Sequence, residues 1–304
     1  MSAVATMQVS HKRRQAVADA ALLAITFIWG VTFPLVKAAL PATNAVSFVA
    51  VRLSLAAALL VLFYRPRWRL IPAHTWTAGA IVGFFLASGY TLQTAGLALT
   101  SPSAAAFITG TMVVLVPILL AVFWRRGLRP TAWAGALLAL AGLYLLVAVP
   151  TGAITAAARA GAWRGDALVA ASAVAFALQI IWVGEWSPRA NFRDFVVLQI
   201  VFAALFSWAA LPMGNSWQWH NTLYLWVTIA ITAVLATAVA FTVQTWAQQF
   251  TPATHAAVIF AAEPVFAWLA STLGWHEPLQ SIQLAGAALI VAAMVLVEWR
   301  PKPV

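Results

Sequence analysis

The chain has 304 residues, 63% of them hydrophobic and only 8% charged, with a mean hydropathy of +0.91. Soluble domains carry about 25% charged residues, so this composition excludes a water-soluble fold and makes lipid the solvent. The net charge of +10 does not indicate nucleic acid, because the basic residues are scattered between apolar runs rather than gathered on one face. The absence of cysteine excludes a disulfide framework, a thiolate metal site and a cysteine nucleophile.

A helix needs about 20 apolar residues to cross a hydrocarbon core of ~30 Å. In chain order, ten such spans are predicted at 20–40, 44–64, 76–98, 102–124, 131–150, 167–185, 194–212, 222–246, 252–273 and 281–299. The first follows His11-Lys12-Arg13-Arg14 as a signal peptide would. Its length and the nine spans after it instead indicate a helix that is retained. The connections are mostly short, so successive helices run antiparallel. The longest, 151–166, divides a first five-helix half (20–150) from a second (167–299), between a leading segment 1–19 and a tail 300–304. With the N-terminus inside, 13 of the 17 Lys and Arg fall in inner segments, against Arg159 and Arg164 outside. This bias predicts that both termini are cytoplasmic.

The two halves also look like copies. Gly127-Leu128-Arg129-Pro130 leads into Trp133-Ala134-Gly135-Ala136 and on to Gly142. His276-Glu277-Pro278-Leu279 leads into Leu284-Ala285-Gly286-Ala287 and on to Ala293. A duplicated unit with an odd number of spans inserts upside down relative to its twin, an arrangement found in alternating-access carriers. The predicted fold is therefore an all-α integral membrane protein of ten transmembrane helices in two inverted five-helix repeats.

Charged side chains inside a span cost roughly 2.5–3.5 kcal/mol each on insertion scales. Lys37, at the outer end of the first span, is expected to snorkel to the interface. Arg52 and Glu263 are deeper. At about 1.5 Å per residue, Arg52 lies ~12 Å from the outer face and Glu263 ~17 Å from the inner one, similar depths in a ~30 Å core. They are expected either to pair or to face one cavity, where Glu263 is the candidate for a substrate cation or a coupling proton.

Pro264 follows Glu263, and Pro117 holds a comparable place in the fourth span. Each removes a helical hydrogen bond, so both are predicted to break their helices beside protein or a wet cavity. Helix entries at Ser101-Pro102-Ser103 and Thr251-Pro252-Ala253 also match. The remaining cavity candidates are Trp29, Thr32, Tyr90, Gln93, Thr109, Thr111, Gln179, Trp182, Gln244, Trp246 and Gln248; in bilayers Gln and Thr equally serve as interhelical glue. Gly79 and Gly83 indicate close helix packing.

Several of these stretches resemble EamA-type members of the drug/metabolite transporter superfamily. They are Ile28-Trp29-Gly30-Val31-Thr32-Phe33, Val51-Arg52-Leu53, Gln93-Thr94-Ala95-Gly96-Leu97, Gly165-Asp166-Ala167-Leu168, Ala262-Glu263-Pro264-Val265-Phe266 and His276-Glu277-Pro278-Leu279. The resemblance covers roughly 20–299. It implies a carrier of two inverted repeats that moves small metabolites, often outward, with the third, fourth, eighth and ninth spans contributing strongly to the cavity. The chain departs from the family at Arg126-Gly127, where an acidic residue often precedes the fifth span as Glu277 precedes the tenth.

The leading expectation is a secondary carrier exporting small metabolites such as amino acids across a bacterial inner membrane. No Walker motif is present, so the energy is expected from a gradient, with a proton as candidate coupling ion, or from the substrate itself. Its partners are a small-molecule substrate and membrane lipids; no nucleic acid, cofactor or metal is expected. The runner-up is a flippase for a lipid-linked headgroup, and a non-transporting scaffold subunit is more remote. An enzyme is disfavoured, because His11, His74, His220 and His276 fall in loops or at edges and His255 is expected at the interface, leaving no acid, base and nucleophile at one depth.

Overall fold

A computed structural model describes residues 3–147, 156–213, 217–275 and 281–298. These form α1 (Ala3–Ala39), α2 (Ala45–Tyr64), α3 (Ala73–Leu99), α4 (Pro102–Gly110), α5 (Met112–Val122), α6 (Pro130–Val147), α7 (Ala156–Trp186), α8 (Phe192–Ala209), α9 (Leu223–Ala233), α10 (Ala240–Ala247), α11 (Ala253–Phe260), α12 (Glu263–Trp275) and α13 (Ser281–Glu298). A π-helical segment, Val234–Val239, joins α9 to α10. Eight spans are long and apolar enough to cross a bilayer, and Pro130–Leu146 and Ser281–Val297 are shorter apolar helices. The ten predicted spans thus correspond to eight full ones and two short ones, at positions five and ten.

Side-chain caps set several helix starts. Asn44 accepts from Ser47 N at 2.8 Å, Ser101 from Ala104 N at 3.1 Å, Asn191 from Arg193 N at 3.1 Å and Thr222 from Leu225 N at 3.1 Å. Each satisfies an amide that the first turn leaves without a carbonyl. The alanine-rich end of the expected linker favours helix, so α7 begins at Ala156. Residues 148–150 at the end of the expected fifth span, the 151–155 part of that linker and the His276–Leu279 motif lie outside the described residues.

The fourth and ninth spans are broken, but not where the prolines alone predict. In the ninth, α11 ends at Phe260 and α12 starts at Glu263. Pro264 then sits in the first turn of α12, where its missing N–H costs nothing, and the residue before it resists the helical region. In the fourth, the chain turns at Thr111, and Pro117 lies inside α5. The Thr111 hydroxyl donates to Ile108 O at 2.6 Å, a local bond that competes with the helical ladder. Counted from the entry prolines, both breaks come nine residues on, at Thr111 and Ala261. The copies therefore agree in where they bend and disagree in where they place the inner proline.

The main packing joins one half to the other. α3 lies along α7 and α8, α2 along α8, α1 along α12 and α10, α6 along α13, and α5 along α7. Exchanging the halves maps these pairings onto one another: the third span with the sixth mirrors the eighth with the first, and the ninth with the first mirrors the fourth with the sixth. The fifth–tenth pair maps onto itself, and its residues show the same symmetry. A Cβ on Gly142 would lie 2.6 Å from Gly286 O, and one on Gly286 would lie 2.6 Å from Gly142 O, while Gly135 faces Ala293 O at 3.4 Å. Without a hydrophobic drive between helices in lipid, such close backbone approach supplies the packing energy. Gly79 and Gly83 likewise seat against Leu198 and Phe202 of α8.

One end of the bundle carries the arginine-rich connections after α2 and α5. The other carries tryptophans, with Trp208, Trp217 and Trp219 stacked at 5.8 and 5.4 Å and Trp226 edge-on to Trp219 at 5.3 Å. Indoles at that level suit the bilayer interface.

Candidate functional site

Where the two broken spans meet, Gly110 at the end of α4 faces Pro264 of α12, 3.5 Å from the position of a Cβ to the proline Cγ. On the other flank of α12, Gly30 of α1 presses on the break itself. A Cβ there would be 2.6 Å from Glu263 O and 2.8 Å from Phe266 Cβ. The Trp29-Gly30 pair thus has a physical reason: glycine lets α1 touch the backbone of Glu263 while its neighbour turns toward the cavity.

That cavity lies between the halves. It offers about 60 Å³ to the centres of water-sized molecules, within about 630 Å³ of atom-free space that includes its open side. The first figure exceeds the ~10–15 Å³ that a single water needs. Nine of the expected residues line it: Trp29, Thr32, Arg52, Tyr90, Gln93, Thr109, Gln179, Gln244 and Glu263. Every half contributes, and so do the third, fourth, eighth and ninth spans.

Arg52 is 4% exposed, and the chain holds it firmly. Its Nε donates to Thr237 Oγ1 at 2.8 Å, Nη2 donates to Ala236 O at 3.2 Å, and the guanidinium lies 4.1 Å from the centroid of the Tyr90 ring. Ala236 O also accepts from Trp29 Nε1 at 2.9 Å and from Tyr90 Oη at 3.3 Å. Helices one, two and three therefore converge on one carbonyl of the π-helical segment, and such segments recur at functional sites. Thr237 completes the set by donating to Thr232 O at 2.8 Å.

Glu263 contrasts with this. It is 6% exposed, yet among the described residues no cation lies within 4 Å of its carboxylate and no hydrogen bond reaches it. Arg52 and Glu263 are therefore not an ion pair. They face one cavity separately. Around them stands an aromatic frame: Trp29 edge-on to Phe260 at 5.2 Å, Trp29 tilted against Phe241 at 5.6 Å, and Tyr90 edge-on to Phe176 at 5.4 Å and to Phe241 at 6.0 Å. Polar contacts close the remainder, with Gln93 Nε2 donating to Thr109 Oγ1 at 3.1 Å and Gln244 Nε2 to Gln179 Oε1 at 3.2 Å.

Four expected lining residues stand elsewhere, among them Gln248, which donates to Ile180 O at 2.9 Å and lies in the wall of a second cavity. Thr111 spends its hydroxyl on Ile108 O at the helix break. Trp182 packs edge-on to Trp124 at 6.0 Å, and Trp246 against Phe250 at 5.7 Å, both outside the cavity wall. At about 100° per residue Trp246 points about 160° away from Gln244, whereas Trp182 is only about 60° round the helix from Gln179 and is drawn off the cavity by its packing on Trp124.

Two further residues take specific partners. Lys37 is half-buried at the outer end of α1, and its Nζ donates to Leu97 O, Ala98 O and Thr100 O at 2.6, 3.0 and 2.9 Å. It caps the C-terminus of α3, where free carbonyls and the helix dipole favour a cation. His255, one turn into the ninth span, is buried between helices. It is 4% exposed, with Nε2 3.9 Å from Asp19 Oδ2 and Nδ1 3.4 Å from Gln15 Nε2.

Residues missed from the sequence include Thr94, Met112, Phe176, Phe241 and Phe260. Phe176 and Phe241 stand three residues before Gln179 and Gln244 and share their helix faces, a signal that was available. The Ala236 carbonyl gave none.

Comparison with known proteins agrees with this architecture. The EamA-like transporter family model matches twice, over residues 17–148 and 163–299, one match per half. An uncharacterized transporter of Archaeoglobus fulgidus is 32% identical over 283 residues, covering 93% of this chain and 86% of that protein. The uncharacterized transporter YvbV of Bacillus subtilis is 28% identical over 289 residues, covering 91% and 90%. A protein of known crystal structure superposes with a TM-score of 0.71 at 18% identity, covering 93% of this chain and 96% of the other, and so shares the fold. Two family repeats, a shared helical bundle and a polar cavity between the halves place this chain in the EamA-like transporter family of the drug/metabolite transporter superfamily, a multi-pass membrane transporter of small molecules.

Proposed function

We propose that the chain is an alternating-access secondary carrier that exports small zwitterionic metabolites, amino acids among them, across a bacterial inner membrane, with a proton exchanged at Glu263. One observation carries this reading: Glu263 and Arg52 face the same buried cavity without pairing. A buried carboxylate without a partner is stable when it is protonated or when a cation from outside the chain meets it. Those two states are the two loads of an antiporter. Arg52, already held by Thr237 and Ala236, keeps donors for a substrate carboxylate, and the aromatic frame accommodates an apolar side chain.

The arginine-rich end of the bundle faces the cytoplasm in this reading, with both termini there, because Lys and Arg are retained on the inner side. Substrate and proton would then compete for Glu263 and never occupy it together, which couples one flux to the other.

The test is flux in liposomes containing the purified protein, with an amino-acid panel and an imposed pH difference. Glu263→Gln keeps the shape and removes the titration. Uptake driven by the pH difference should vanish, and substrate exchange should weaken with it, because the neutral amide stands in for the protonated state that excludes the substrate cation. Retention of full pH-driven uptake in Glu263→Gln would exclude the proton role, and movement of a lipid-linked headgroup with no soluble substrate would replace the carrier with a flippase.

A further inference from the structure

A second cavity lies at the arginine-rich end, between the connection after α5 and the turn from α10 to α11. It offers about 280 Å³ to water centres, and Arg126, Glu185, Gln248, Thr251 and Thr254 are in its wall. It shares no lining residue with the central cavity, yet the two abut. Ile180 lines the central cavity and Ile181 the second; Gln244 faces the first and Gln248, one turn along, faces the second.

A chain of amides fills the wall between them. Gln244 Nε2 donates to Gln179 Oε1 at 3.2 Å and to Gln248 Oε1 at 2.9 Å, and Gln248 Nε2 donates to Ile180 O at 2.9 Å. The three glutamines are 2%, 1% and 3% exposed in the order Gln179, Gln244, Gln248, so the wall excludes water. Gly184 leaves room for it: a Cβ there would stand 3.3 Å from Gln248 Nε2. Four residues of helix separate the two amides, a barrier of about 6 Å.

An apolar plug of that thickness would lose its burial on opening. Amide hydrogen bonds exchange for water at small net cost, which suits a wall that must form and part in each cycle. We propose that the second cavity is the cytoplasmic vestibule of the translocation path, and that the Gln179–Gln244–Gln248 chain is its inner gate, closed in this structure. The proposal rests on the transport reading above and adds to it the residues that separate the two faces.

The absence of native cysteine allows a direct test. Thr32→Cys places a thiol in the central cavity, Thr254→Cys one in the vestibule, and a membrane-impermeant maleimide is applied to either face of vesicles of known orientation. Thr254→Cys should label from the cytoplasmic face whether or not Gln248→Ala is also present. Thr32→Cys should label slowly from that face and gain about tenfold in rate with Gln248→Ala, as the loss of two hydrogen bonds dictates. Gln248→Met, which keeps the length without the amide, should act alike and serves if the alanine variant fails to fold.

Thr32→Cys reacting equally from the cytoplasmic face with and without the Gln248 substitutions overturns the gate while leaving the transport reading intact, provided it labels from the opposite face. Thr32→Cys silent from both faces in every background overturns both. Thr254→Cys silent from the cytoplasmic face overturns the vestibule.

Discussion

Gly30→Ala tests whether contact between α1 and the break in the ninth span positions Glu263. The added Cβ would stand 2.6 Å from Glu263 O, 2.8 Å from Phe266 Cβ and 3.0 Å from Ala267 N. Two of these are backbone atoms, so no side-chain rotation relieves the clash, and α1 and α12 must separate. Overpacking of this kind costs about 1–3 kcal/mol, while alanine in a helix interior recovers about 1 kcal/mol over glycine. The net loss is about 0–2 kcal/mol, at roughly 2–4 °C in Tm per kcal/mol.

The 16 tryptophans make intrinsic fluorescence on heating a direct assay in detergent. Gly127→Ala is the matched control, because nothing lies within 4 Å of its Cβ position, and it should leave Tm unchanged. Flux through Gly30→Ala should fall further than its Tm predicts, because Glu263 moves with α12. A Gly30→Ala protein as stable and as active as the Gly127→Ala control would refute the claim that this contact sets the site.

Other expectations follow from particular contacts. Thr237→Val removes the 2.8 Å bond to Arg52 Nε; a hydrogen bond to a charged group contributes about 1.5–3 kcal/mol, so Tm should fall, and an unchanged Tm would discount the Ala236–Thr237 anchor. Arg52→Lys should lose substrate binding in a thermal-shift titration, since one ammonium cannot reproduce two directed bonds and stacking on Tyr90. Lys37→Met strips a donor from three carbonyls at the end of α3 and should destabilise by about 1–3 kcal/mol, visible as a lower Tm. Trp29→Phe should weaken substrate affinity through loss of the bond to Ala236 O, whereas Trp182→Phe and Trp246→Phe, outside the cavity wall, should not.

Most of the architecture was legible in the order of the residues. Apolar runs near bilayer length define spans by themselves, because lipid accepts only helices whose backbone is internally satisfied. The duplicated Ala-Gly-Ala segments predicted inverted halves, and Gly142 and Gly286 prove to be the contact between them. Arg52 and Glu263 stood out for a similar reason: charge inside a span is costly enough to need an explanation.

What only the tertiary structure decided is how those residues face one another. Spacing along one helix gives a side chain's angle relative to its neighbours, but not the rotation of that helix against the rest of the bundle. Trp182 and Trp246 could therefore not be distinguished from Trp29 by residue type, although packing sends them to the outside of the wall. Nor does any side chain mark Ala236, whose part is played by a carbonyl in a π-helical turn. Whether Arg52 meets Glu263 was likewise open until Thr237 and Ala236 were seen to hold the arginine. Composition and periodicity act through the solvent, which every span meets alike; the site depends on contacts between spans far apart in sequence, and those exist only once the halves have packed.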